Sequence, residues 1–151
     1  MNRLQFSVDI NAPRSHVWLA LWSDTGYREW TSVFSPGSHA VSDWQEGSTI
    51  QFLDGQGQGM DSVIEKSVPN EFMSFKHLGE IKDGKVQPLD DRTREWSGGH
   101  ENYTLIDRDG RTRVNVELEA PDEYTEMFSD MFPKALQRLK EVAEAESEPR
   151  R

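Results

Sequence analysis

A chain of 151 residues with no cysteine has the length of one domain, enough to bury a core, and cannot rest on a disulfide framework. Its 27 acidic and 17 basic residues give a formal net charge of −10, which repels polyanions and argues against nucleic acid or an anionic membrane surface as a partner. Only 34% of the residues are hydrophobic, so the five tryptophans and seven phenylalanines must supply much of the buried area, at ~150–250 Å² per ring.

The first ten residues, MNRLQFSVDI, lack the apolar run of a signal peptide, and no stretch approaches the ~20 apolar residues of a membrane span. A soluble, cytoplasmic protein without membrane insertion is expected. Leu4, Phe6, Val8 and Ile10 alternate with Gln5, Ser7 and Asp9, which predicts a half-buried strand. A helix follows over NAPRSHVWLALWS, with Asn11 as N-cap, Pro13 in the first turn and an end near Ser23. A second helical turn is predicted over Thr25 to Trp30.

Short strands separated by turn residues come next: HAVSDW, TIQFL, MDSVIEKSV and FMSFKHL, divided by QEGS, DGQGQG and PNE. This spacing predicts an antiparallel meander. Residues 80 to 95 are polar and contain a KDGK turn, and they are read as a long excursion from the sheet. WSGGHENYTLI returns to a strand, DRDGR forms a hairpin turn, and TRVNVEL alternates again. From about Glu123 to Ala145, Tyr124, Met127, Phe128, Met131, Phe132, Ala135, Leu136, Leu139, Val142 and Ala143 recur at helical spacing. Asp122 can cap this helix, and Pro133 predicts a kink or restart within it. One domain over residues 1–146 is expected, with 147–151 as a disordered tail. The long helix is the one predicted element able to lie across a curved antiparallel sheet, which makes the fold class α+β.

Four segments carry a family resemblance: NAPRSHVWLALWSDTGYREW, PNEFMSFKHLGE, REWSGGHENYTL and MFPKALQRLKEVAE. Together they resemble the helix-grip fold of the START-related lipid-transfer (SRPBCC) superfamily. Within it they are most similar to a bacterial subgroup of the homologues of the heat-shock-protein-90 ATPase activator. The resemblance implies a curved antiparallel sheet of about six to seven strands wrapped around the long C-terminal helix, with two short helices after the first strand. It also implies a cavity between sheet and helix, closed at one end by the helical turn that carries Tyr27 and Trp30. Scaffolds of this kind serve lipid binding, cyclase chemistry and co-chaperone work, so the fold alone assigns no function.

Strand parity selects the polar groups that can face such a cavity. Met73, Phe75 and His77 share one face, and Glu101, Tyr103 and Leu105 share another. The predicted ligand-binding set is Tyr27, Trp30, Phe52, Phe75, His77, Glu101, Tyr103, Met127 and Met131. Trp30 serves equally as pocket wall or core plug, and Phe34 is read as core. His77 and Glu101 either orient a ligand or satisfy each other; no catalytic residue is assigned. The four histidines lack i, i+4 pairing and there is no cysteine, so no metal site is read, and GQGQG lacks a P-loop lysine. No cofactor is expected. The leading expectation is a binding module for a small apolar molecule. A co-chaperone-like interaction domain and a cyclase- or hydrolase-type enzyme using His77 and Glu101 are the alternatives, and a homodimer is left open.

Overall fold

The computed structural model describes residues 2–94 and 97–147. The chain opens with strand β1 (Asn2–Ile10) and two short helices, α1 (Arg14–Trp22) and α2 (Asp24–Thr31). Strands β2 (His39–Val41), β3 (Thr49–Leu53), β4 (Gly59–Val68), β5 (Phe72–Lys82) and β6 (Lys85–Val86) follow. A single turn, α3 (Asp91–Arg94), leads to β7 (His100–Arg108), β8 (Arg111–Ala120) and the long helix α4 (Asp122–Ser147). The strands form one antiparallel sheet in the order β1-β8-β7-β5-β4-β3-β2, with β6 paired to β5 beside this path. This is the expected α+β helix-grip architecture, with β6 as a short additional strand.

The first helix starts later than the sequence pattern suggests. Pro13 holds the cap position with extended backbone, and α1 begins at Arg14. A proline disfavours helical backbone in the residue before it, so Ala12 and Asn11 stay outside the helix. Asn11 instead donates its backbone N–H to Glu144 at 2.9 Å, which ties the end of β1 to the end of α4. Ser23 then breaks α1 with extended backbone and accepts the Gly26 N–H at 3.1 Å, capping α2. A Cβ at Gly26 would stand 2.2 Å from the Ala20 carbonyl oxygen, so only glycine lets α2 pack this closely on α1. That close approach sets where the rings of Tyr27 and Trp30 lie.

The excursion predicted from Glu80 begins later. β5 runs on to Lys82 and Ile81 is buried, although the register shift at Leu78 takes it off the inward parity of Met73, Phe75 and His77 and turns Glu80 toward the cavity instead. Asp83 and Gly84, both with positive φ, then turn the chain back into β6. Asp109 and Gly110 adopt positive φ in the same way between β7 and β8, as a two-residue hairpin turn requires. Glu95, Trp96 and the tail residues 148–151, on which sequence expectations also fell, lie outside the described residues; Ser147 closes α4.

α4 continues through Pro133 as one helix. Pro133 and Ser129, whose carbonyl loses its helical donor, both lie on the exposed face, where water can substitute for the missing bond. The helix runs along the edge strand β1. Asn2 Nδ2 donates to Asp122 Oδ1 at 2.7 Å, Phe6 stacks on Phe132 with centroids 5.0 Å apart, and Asn11 reaches Glu144. Ala135, Leu136, Leu139 and Ala143 are fully buried on its inner face, with Val17 and Leu21 of α1 and Val114 and Val116 of β8 in the same core.

Candidate functional site

Beside the N-terminal half of α4 the core does not close. A cavity of about 550 Å³ lies between that half-helix, α2 and the concave face of the sheet. Tyr27 and Trp30 of α2, Phe52 of β3, His77 of β5, Glu101 and Tyr103 of β7, and Met127 and Met131 of α4 all line it. Phe75 does not: it is fully buried one layer behind, edge-on to Phe52 at 5.0 Å and to Trp22 at 5.2 Å. Its inward parity holds, but the rings of Phe52 and Trp22 stand in front of it.

Trp30 combines both roles that the sequence left open. It is 2% exposed, its indole N–H donates to the Leu21 carbonyl at 3.1 Å, and one side of the ring lines the cavity. Phe34, expected as core, packs edge-on to Phe132 at 5.0 Å and also contributes wall. Trp22, Met60, Tyr124 and Phe128 also line it and were not singled out from the sequence as wall residues. Tyr124 and Phe128 stand at i−3 and i+1 from Met127 in the apolar stripe, so helical spacing could have found them. Trp22 reaches the wall because its ring packs edge-on to Tyr103 at 4.9 Å and to Trp30 at 6.5 Å, a convergence of three distant elements.

One polar chain crosses this apolar lining. A register shift between Asp61 and Ser62 brings Ser62 directly opposite His77, and Ser62 Oγ lies 2.7 Å from His77 Nδ1. His77 Nε2 lies 3.1 Å from Glu101 Oε1, and the Tyr103 hydroxyl donates to Glu101 Oε2 at 2.5 Å. Ser62 had no sequence signal of its own, since only the bulge sets it across from His77. Proton placement follows from the partners. The carboxylate accepts from Tyr103 and from an Nε2–H, which leaves Nδ1 to accept from Ser62, a fully buried hydroxyl with no other bond among the described residues. His77 is thus a neutral imidazole with both nitrogens engaged, and the free lone pairs of Glu101 are what this chain can offer a ligand.

Burial first, and then the charge of Glu101, push the Tyr103 phenol well above its ordinary value, and the same two causes raise Tyr27. Among the described residues no lysine or arginine lines the cavity. A second hollow of about 270 Å³ shares His77, Glu101, Tyr124, Met127 and Phe128 with the first and extends past Glu80 and Glu119. Among the described residues no group of His, Asp or Glu is clustered so as to hold a metal ion, and no helix is long and apolar enough to cross a membrane.

Comparison with known proteins agrees with this architecture. Residues 11–146 match the family described as Activator of Hsp90 ATPase homolog 1-like protein. No curated protein matches the chain in sequence. Among solved structures, a protein of Mesorhizobium loti superposes with a TM-score of 0.73 at 14% identity, covering 95% of this chain and 98% of its own. The Aha1 dimer from Colwellia psychrerythraea gives 0.70 at 21% identity, over 95% and 97% of the two chains. DynU16, from the dynemicin biosynthetic locus, gives 0.71 at 15% identity over 97% of this chain; the chain spans about half of DynU16, 49% of its length. At these identities the structural likeness speaks for the fold alone, while the match over residues 11–146 shows that the chain belongs to the Activator of Hsp90 ATPase homolog 1-like family.

Proposed function

We propose that the protein is a binding module for a small, mostly apolar molecule held between the sheet and the N-terminal half of α4. The observation that carries this reading is the cavity of about 550 Å³, walled mainly by aromatic and methionine side chains and crossed by one hydrogen-bonded polar chain. Its size falls within the ~300–1,000 Å³ of small-molecule sites, which combine apolar walls with a few polar groups. Tyr27, Trp30, Phe52 and Tyr103 supply rigid ring surface, while Met127 and Met131 supply a wall that adapts to shape. Glu101 orients the ligand, held in place by His77 and Tyr103. The compartment proposed with this reading is the cytoplasm, with which a cysteine-free chain is compatible.

Filling the cavity tests this. Met131→Trp should leave the fold intact and lower the affinity for polycyclic probes at least ~10-fold, because the indole takes up ligand space. Native mass spectrometry of the unmodified protein should show a co-purified or added apolar ligand that the variant does not retain. Equal retention by both proteins would rule the cavity out as the site.

The family name supports a second reading, an interaction domain acting on an ATPase of the Hsp90 type, to which a chain of net charge −10 would present an acidic surface. The dimeric state of the Colwellia protein likewise makes a homodimer a reasonable proposal here. Titrating the purified chain against an Hsp90-type ATPase while following ATP turnover separates this reading from the first, because Met131→Trp should leave any such effect unchanged.

A further inference from the structure

We infer that the ligand of this cavity carries a protonated amine on its apolar body, and that Glu101 pairs with that ammonium group. The inference rests on the binding reading above and narrows its ligand class. Its first support is proton placement. Every polar atom of the Ser62–His77–Glu101–Tyr103 chain finds a partner in only one arrangement: Ser62 donates to Nδ1, Nε2–H donates to Glu101, and Tyr103 donates to Glu101. A cationic His77 would leave the Ser62 proton without an acceptor in a fully buried position, and a protonated Glu101 that donates to Nε2 would move the ring proton to Nδ1 and strand the same Ser62 proton. Glu101 therefore carries a negative charge that two neutral donors stabilise but do not neutralise.

The second support is the surroundings. Among the described residues Asp54 is the only acid besides Glu101 that lines the main cavity, and its Oδ1 already accepts the backbone N–H groups of Gln56 and Gln58 at 2.8 and 3.0 Å. The adjoining hollow adds Glu80 and Glu119 and, among the described residues, again no lysine or arginine. At the rim Glu80 has Lys82 at 3.3 Å, and Glu119 accepts the His100 backbone N–H at 3.1 Å. Among the described residues Glu101 is the one acid that lines both hollows, so a ligand in either space meets its charge. A charge in an apolar setting is costly unless it is paired. A ligand carboxylate or phosphate would face this same charge and is disfavoured, whereas an ammonium gains the pair.

The third support is ring placement. The Tyr103 hydroxyl lies on Glu101 itself, and the charge of Glu101 reaches the Tyr27 phenol. Tyr27 and Phe52 lie 6.1 Å apart with nearly parallel rings, and Phe52 is also edge-on to His77 at 6.0 Å. An ammonium at Glu101 would therefore sit among aromatic faces, which favour cations.

Three matched probes test the inference on the unmodified protein: naphthylmethylamine, naphthylmethanol and naphthoate, each followed by isothermal calorimetry near neutral pH. The amine should bind about ten-fold or more tightly than the alcohol, as a charge-assisted hydrogen bond in a partly buried site implies, and naphthoate should bind weakest. Glu101→Gln should abolish the preference for the amine, so that amine and alcohol bind alike. If the alcohol or naphthoate binds as well as the amine, the amine inference is overturned and the cavity reading stands. If none of the three binds, both fall. The comparison of probes on the unmodified protein decides the matter even where Glu101→Gln fails to fold.

Discussion

The two halves of α4 run along the same edge strand and end in opposite environments. In the C-terminal half, Ala135, Leu136, Leu139 and Ala143 are fully buried, because α1 lies alongside and brings Val17, Ala20 and Leu21 against them. In the N-terminal half α1 has ended, and Tyr124, Met127, Phe128 and Met131 face the sheet across the cavity, with Met127 left 42% exposed. The apolar spacing is equally regular in both. The difference lies in side-chain size and in what stands opposite. Two alanines let the helix settle onto its neighbours, whereas long, flexible and aromatic side chains hold it off the sheet. A regular stripe therefore specifies which face of a helix turns inward without specifying whether that face meets protein or open space.

Substitutions at matching depth break this contrast. Leu139→Ala should lower unfolding free energy by ~2–5 kcal/mol, since it leaves a void among groups that cannot collapse onto it. Met127→Ala on the same helix should cost under ~1 kcal/mol, because the side chain is already half in solvent. Urea denaturation of both variants checks the pair, and equal costs would mean that the two halves are packed alike.

A smaller effect is expected at Trp30, which belongs to both regions. Trp30→Phe removes the donor to the Leu21 carbonyl and should cost ~1–3 kcal/mol while preserving the fold. It should also reduce the ligand-dependent part of the fluorescence change, leaving the share of Trp22, which lines the same cavity. A ligand response unchanged in this variant would place Trp30 in the core alone.

The smallest effect is a slope with pH. Tyr27 and Tyr103 are held above their ordinary value of 10.0 by burial and by Glu101, so the folded state keeps protons that the unfolded state releases. Their contribution to stability is fully present below pH ~10 and is lost as pH rises beyond it, by at most about 1.4 kcal/mol per pH unit for each retained proton. Ultraviolet difference absorbance should show these two phenols ionising only with unfolding, and Tyr27→Phe should flatten the alkaline fall in stability. Normal titration of all three tyrosines in the folded protein would contradict their enclosure.

Much of this was legible from residue order. Strict alternation in β1, β7 and β8 fixed which side chains face inward, because a strand offers only two faces, and His77, Glu101 and Tyr103 were located by parity alone. Helical spacing identified α4, and the aspartate–glycine pairs identified two hairpin turns. Local signals failed where a neighbour decided the outcome. Pro13 moved the start of α1 past Asn11, and Ile81 kept β5 in the sheet where the polar run around it suggested departure.

What the sequence determined by itself was periodicity, and with it the fold class and the inward faces, since these depend on near neighbours along the chain. What only the tertiary structure decided was everything that depends on which distant elements meet. It put Phe52 and Trp22 in front of Phe75, and a bulge in the pairing of β4 with β5 set Ser62 against His77. The same holds for the cavity itself. A void arises where the volumes of several elements fail to add up to the space between them, and no single stretch of sequence carries that sum.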